Sequence, residues 1–262
     1  MSVLPHADPG RGVFETMLVI AGRAVELDAH LGRLSTSVET LYSHALPEQA
    51  RSLVVDRARG IESGKLRLTV VPAPGAPRLG VAAEEIDAGA VFPAPERAAS
   101  LRSNVVAGGL GEHKWADRDL LDRLAAASPG ELPLLLDPDG AVLEASRASV
   151  FAVTAGRLLT PPTDGRILPS IARQQVIEVA SVEGIETSEE RLTLADLHAN
   201  EVFLTGSVRG VEPARELDGA ALAPSGELSG RIAAGLRRRW RVPAAEPVAA
   251  VAGGQPDGRP GR

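Results

Sequence analysis

Between residues 132 and 162 the chain reads LPLLLDPDGAVLEASRASVFAVTAGRLLTPP. Apolar runs at 132–137, 140–146 and 150–162 are separated by Pro138-Asp139-Gly140 and interrupted at Ala155-Gly156. Runs this short, rich in leucine and valine and bounded by turn residues, are too brief for stable helices and read as strands. Strands joined by such tight turns must lie side by side, so a sheet is committed here before any other element is considered.

The rest of the chain mixes both periods. VFETMLVIAGRAVEL (13–27) alternates around Ala-Gly-Arg and reads as a β-hairpin. Residues 28–45 open on Asp28 as a helix N-cap and place Leu31, Leu34, Val38 and Leu41 at helical spacing. A second helix follows Pro47 to about Ser63, and strands follow at 65–73, 78–86 and 99–108. Beyond them come helices at 117–128, 170–184 and 226–240, a strand at 201–207 and a hairpin through Asp218-Gly219. The expected class is α+β. The domains expected are a small N-terminal unit at 1–107, a glycine-rich joint at 108–113, a larger unit at 114–241 and a disordered tail at 242–262.

Composition removes several functions. A net charge of −6 with 3% aromatic residues argues against nucleic-acid binding. With no cysteine there is neither disulfide nor thiolate chemistry. The start of the chain lacks a signal-peptide pattern and no apolar run nears the roughly 20 residues of a membrane span, so a cytoplasmic protein is expected. The histidines show no ligand spacing for a metal, GGLGEHKW is not a phosphate-binding P-loop, and no Gly-x-Ser-x-Gly elbow occurs.

Against this background one residue stands out. Among 28 basic residues only Lys65 and Lys114 are lysines. Arginine serves a surface as well, but it does not give up its proton to become an amine nucleophile. Lys114 follows the glycine-rich turn and precedes a predicted helix. Further pieces suit pyridoxal 5'-phosphate, which needs an amine, a carboxylate against its ring nitrogen and anion donors for its phosphate. Glu144 ends a predicted strand, and LPSIARQQ offers a helix start with unpaired N–H groups at Ile171 and Ala172. Thr205 and Ser207 supply hydroxyls, and Arg33 a guanidinium. Each also has an ordinary reading: Glu144 as a solvated strand end, Ser170 as an N-cap, Arg33 on the exposed side of its helix.

Taken together and in order, GRGVFETMLV, GRAVELDAHLGRL, HKWADRDLL, LLLDPDGAVLEASRASVFAV, LLTPPTDGRILPSIARQQVIE and EVFLTGSVRGVEPA resemble the fold-type IV pyridoxal-phosphate enzymes. These form the class IV aminotransferase family, which includes branched-chain and D-amino-acid aminotransferases and aminodeoxychorismate lyase. The resemblance implies a two-domain architecture, with a small N-terminal α/β domain and a larger domain with a barrel-like β core. It implies Lys114 as the Schiff-base lysine and proton shuttle, and Glu144 as the carboxylate on the pyridine nitrogen. It assigns Arg33, Ile171, Ala172 and Ser207 to the phosphate. A homodimer acting on a small-molecule substrate follows. Thr16, in FET, leans toward the lyase, which makes 4-aminobenzoate and pyruvate from 4-amino-4-deoxychorismate in folate biosynthesis. Thr16 is then a candidate catalytic hydroxyl and Arg67 a candidate for a substrate carboxylate. An aminotransferase of a small branched-chain or D-amino acid, and a non-catalytic partner subunit, remain open. The chain departs from the family pattern at Ser170, Ala172, Ser149 and Asp119. A serine at 170 would be strained if the turn there required positive φ.

Overall fold

A computed structural model describes residues 6–243; the expected tail, apart from Val242 and Pro243, lies outside them. Strands β1 (Val13–Ile20) and β2 (Arg23–Ala24) form the expected hairpin through Ala21-Gly22. Helices α1 (Leu27–Tyr42) and α2 (Gln49–Ala58) follow, then β3 (Ser63–Val71) and β4 (Arg78–Glu85). These strands make an antiparallel sheet in the order β2-β1-β3-β4.

The α1 start differs from expectation. Its N-cap is Glu26, in left-handed geometry at φ 54° and without a side-chain cap bond, while Asp28 sits in the first turn and pairs with Arg51. Helix α2 stops at Ala58, earlier than expected, because Ser63 already begins the central strand β3.

The remaining elements are β5 (Ala99–Val105), α3 (Asp119–Ala127), β6 (Leu132–Leu136), β7 (Val142–Ala145), β8 (Ser149–Thr154), β9 (Arg157–Thr160), α4 (Ile171–Val182), β10 (Thr187–Glu189), α5 (Leu194–His198), β11 (Glu201–Gly206), β12 (Gly210–Leu217), β13 (Ala220–Ala221) and α6 (Glu227–Trp240). They build a second, mixed sheet in the order β10-β9-β8-β11-β12-β5-β6-β7, with β13 on β12. The β7 end returns to β8 through reciprocal bonds between Ala145 and Ala148, N–H to O at 2.8 and 3.2 Å. The sheet therefore curls into the barrel-like core that the resemblance implied. Leu101, Leu134, Val150, Leu204 and Leu217 fill one cluster of that core, each fully buried. Strand β5 is hydrogen-bonded to β12 and β6, inside this larger sheet. Among the described residues no helix is long and apolar enough to cross a membrane.

Strand β1 is covered on both faces, and the two faces differ. Val13, Met17 and Val19 pack with Leu31, Leu34 and Val38 of α1 in a small core. Leu18 and Ile20 instead join Phe151, Phe203 and Trp240 in the core beneath α4 and α6. The period of two along a strand requires this division. It leaves Phe14 and Thr16, on the second face, to line a cavity between the sheets.

Candidate active site

The cavity encloses about 550 Å³, and its lining includes Thr16, Arg33, Lys114, Glu144 and Ser207. Arg67 also lines it, opposite Thr16 in the β1–β3 register. Leu66 and Leu68 turn into the small core, so alternation sends Lys65 and Arg67 to the cavity side.

Lys114 is placed by backbone pairing with the start of β1. The Phe14 N–H donates to the Lys114 carbonyl at 2.9 Å, and the Ala116 N–H donates to the Gly12 carbonyl at 2.9 Å. Within this extended stretch the Trp115 ring enters the small core and its Nε1 donates to the Leu110 carbonyl at 2.9 Å. Its neighbour Lys114 therefore points the other way, into the cavity. The glycines around it are required by space. Gly12, at φ 95°, would bring a Cβ to 2.2 Å from the Val70 carbonyl oxygen, and Gly109, at φ 65°, would bring one to 2.1 Å from that of Arg166. Burial first, then the nearby Arg33 cation, lowers the Lys114 amine to about 8.

Glu144 is buried on β7, with one long bond from the Leu168 N–H at 3.4 Å. Burial raises its carboxyl to about 7 against the opposing pull of Lys114. It is not a solvated strand end. A poorly bonded carboxyl in an enclosed cavity is a partner in waiting for a cation.

Arg33 is likewise mostly buried, and a residue not singled out in the sequence holds it. Glu15, 1% exposed and sandwiched between strand and α1, takes Arg33 Nε and Nη2 on separate oxygens at 2.7 Å each. His30 Nδ1 lies 2.7 Å from the same carboxylate, and Arg33 Nη1 donates to the Pro169 carbonyl at 2.8 Å. Burial alone would raise the Glu15 pKa, but the Arg33 charge and the bonds from His30 and Arg33 outweigh it and leave it at about 2. The available signal was His30 and Arg33 one turn apart on a helix beside a strand carrying a lone acid.

The start of α4 completes the set. Ser170 adopts φ −74° and ψ 128°, so no strain arises, and its Oγ accepts from the Arg173 N–H as an N-cap. Among the described residues no protein acceptor meets the N–H of Ile171 or Ala172. The Ile171 and Ala172 side chains do not line this cavity; Ala172 is fully buried, so these positions offer only their backbone. Ser149 and Thr205, cross-strand neighbours on β8 and β11, have buried hydroxyls with no partner. Asp119 turns outward to Arg11, away from the cavity.

An amine, a buried under-bonded carboxyl, a held guanidinium, unpaired helix N–H groups and spare hydroxyls fit the donor set that pyridoxal phosphate requires. The Amino-transferase class IV model matches residues 12–217. A Mycobacterium tuberculosis protein named bifunctional aminodeoxychorismate lyase / D-amino acid transaminase is 31% identical over 258 residues, covering 84% of this chain and 88% of the relative. The match to the branched-chain-amino-acid aminotransferase of Escherichia coli K12 is shorter, 37% over 87 residues, and takes in 33% of this chain and 28% of that one. Among solved structures, a hypothetical aminotransferase from Mycobacterium tuberculosis, bound to α-ketoglutarate and PMP, superposes with a TM-score of 0.79 at 25% identity, covering 92% and 94% of the two chains. On this match over most of its length, the chain belongs to the class IV aminotransferase family.

Proposed function

We propose that the chain is a pyridoxal-phosphate-dependent lyase converting 4-amino-4-deoxychorismate to 4-aminobenzoate and pyruvate. The observation that carries this reading is one cavity lined by the Lys114 amine, the Glu144 carboxyl, Arg33 and Ser207, with Thr16 beside them. The full-length likeness to a relative named as both lyase and D-amino acid transaminase supports it, and makes transamination of a small amino acid the second reading. A non-catalytic role fits poorly with an amine and a carboxyl both kept in a formed cavity.

When bound, pyridoxal phosphate supplies an electrophilic carbon and a ring that accepts electrons from the bond being broken. Arg33, Ser207 and the Ile171 and Ala172 N–H groups would hold the phosphate. Glu144 would hold the ring nitrogen, its carboxylate favouring the protonated form of that nitrogen. Lys114, whose amine burial lowers to about 8, gains its neutral form as pH rises toward that value, and would serve as the base that takes the proton from the substrate's amine-bearing ring carbon. It then returns that proton toward the departing three-carbon group. Thr16 donates its hydroxyl to the oxygen of that group. No water or keto acid is consumed, whereas transamination needs a keto-acid acceptor.

The test is the visible spectrum of the protein with pyridoxal phosphate, before and after borohydride, with Lys114→Ala beside it. A yellow band trapped by borohydride on wild type alone, followed by 4-aminobenzoate formation from aminodeoxychorismate without keto acid, is the expected result. A colourless wild type would end both enzyme readings. A coloured one that turns over only with keto acid would leave the transaminase.

A further inference from the structure

The cations of the cavity fall into two groups. Arg33 is taken by Glu15, and Lys65 pairs with Glu84 at 2.6 Å. Arg147 and Arg209 share the buried Glu212, with Arg147 bidentate at 2.8 and 3.0 Å and Arg209 Nε at 2.9 Å. Apart from Lys114, Arg67 and Arg118 remain. Among the described residues neither has a carboxylate within salt-bridge distance, although both line the cavity. They converge on one aromatic ring: Arg67 Cζ lies 3.7 Å from the Phe14 centroid and Arg118 Cζ 6.0 Å from it. Arg118 Nη2 donates to the Ser146 carbonyl at 2.6 Å, which fixes its fork, and the buried Arg67 Nε meets no acceptor. Burial is the main influence lowering both guanidiniums, the Asp122 carboxylate opposes it at each, and Arg67 further lowers Arg118.

Two partly desolvated like charges repel, and Asp122, which acts on both from beyond salt-bridge distance, offsets this without occupying their forks, so an anion entering the cavity finds both guanidiniums open to it. The flat forks of arginine match a carboxylate, and Phe14 sets a planar surface beside them. Lys114 Nζ lies 5.0 Å from the centroid of that same ring. A ligand whose amine is worked on by Lys114 is therefore offered a carboxylate site across one aromatic face. On the reading that this cavity is the catalytic one, we propose that Arg118 acts with Arg67 as a clamp for a substrate carboxylate remote from the reacting amine, so that the site takes a planar cyclic acid. Arg118, three residues after Trp115, gave no sign of this in the sequence, since a helix-start arginine is ordinarily solvated.

The experiment is calorimetric titration of the pyridoxal-phosphate-loaded protein with 4-hydroxybenzoate, which has the carboxylate but no amine to react. Wild type, R118M and R67M are compared, with the neutral 4-hydroxybenzamide as control. Each substitution is expected to weaken 4-hydroxybenzoate about tenfold or more, the loss of one charge-assisted pair, while R118K recovers part of it. Benzamide affinity is expected to be equal in all, which shows that the fold and the cavity survive. Wild type that fails to bind the acid, or R118M that binds it within about twofold of wild type, overturns the clamp. Failure of the functional reading shows elsewhere, in the absence of the borohydride-trapped band or of 4-aminobenzoate, and leaves the titration independently readable.

Discussion

Glu144 and Lys114 lean in opposite directions from their ordinary values, and each leaning has a consequence that can be measured. Burial lifts the Glu144 carboxyl from its ordinary 4.5 to about 7. Its contribution to stability is thus full below about 4.5 and is lost as pH rises through 7. Lys114, lowered from 10.5 to about 8, contributes stability above 10.5 that is lost as pH falls through about 8. Glu144→Gln is therefore expected to stabilise the cofactor-free protein at pH 8 by about 1–3 kcal/mol, with little effect at pH 4, and to weaken cofactor binding about tenfold. Thermal melts at the two pH values, with and without pyridoxal phosphate, test it; a variant less stable than wild type at pH 8 without cofactor would refute the assignment. For the same reason the rate at which the cofactor band forms is expected to climb between about pH 7 and 9. Lys114 was legible because lysine is so rare here that its position carried information. Glu15 was not, because a charged residue within a strand normally faces water, and only α1 folding over β1 buries it.

At the scale of elements, the Glu15–Arg33–His30 cluster ties strand β1 to helix α1 and presents Arg33 to the cavity. Glu15→Gln leaves the mostly buried Arg33 with a neutral partner and is expected to cost about 3 kcal/mol, a fall in melting temperature on the order of 10 °C. Phosphate-end affinity should fall with it, whereas the Lys114 pH dependence should persist; a stability change below about 0.5 kcal/mol would show the cluster to be incidental. The folded Glu15 pKa of about 2 places this contribution above about pH 4.5, with progressive loss on acidification. The larger elements were readable from their periods. The smaller ones were not: β10 has only Thr187–Glu189, and α5 only Leu194–His198. The α5 start carries a capping box of Thr193 and Asp196, a local signal too brief to outweigh the irregular composition around it. The α1 start misled for another reason, since a left-handed Glu26 follows the hairpin directly and no side-chain cap is needed to turn the chain.

Across the whole molecule, the tight-turn strands at 132–162 announced a sheet, but its partners, β5, β11 and β12, come from distant sequence and no local pattern names them. We place the boundary of the smaller unit after β4, with 86–98 crossing to the barrel, because β5 pairs entirely within the larger sheet. The return path to Lys114 then runs through Gly109, against the Arg166 backbone. Gly109→Ala combines a left-handed backbone with a 2.1 Å clash and is expected to destabilise by about 2–4 kcal/mol while loosening the Lys114 segment, seen as a lower melting temperature and a weaker cofactor band. An unchanged melt would mean that the loop has room to move. The two-faced strand β1 sets a further rule, one of parity. A single-residue insertion or deletion between Val13 and Thr16 would exchange Phe14 and Thr16 for Glu15, moving a buried carboxylate into the cavity and an aromatic ring beneath α1. Length changes in this strand are tolerable only by twos, so relatives of different length should keep their gaps in the flanking turns and never, singly, within it.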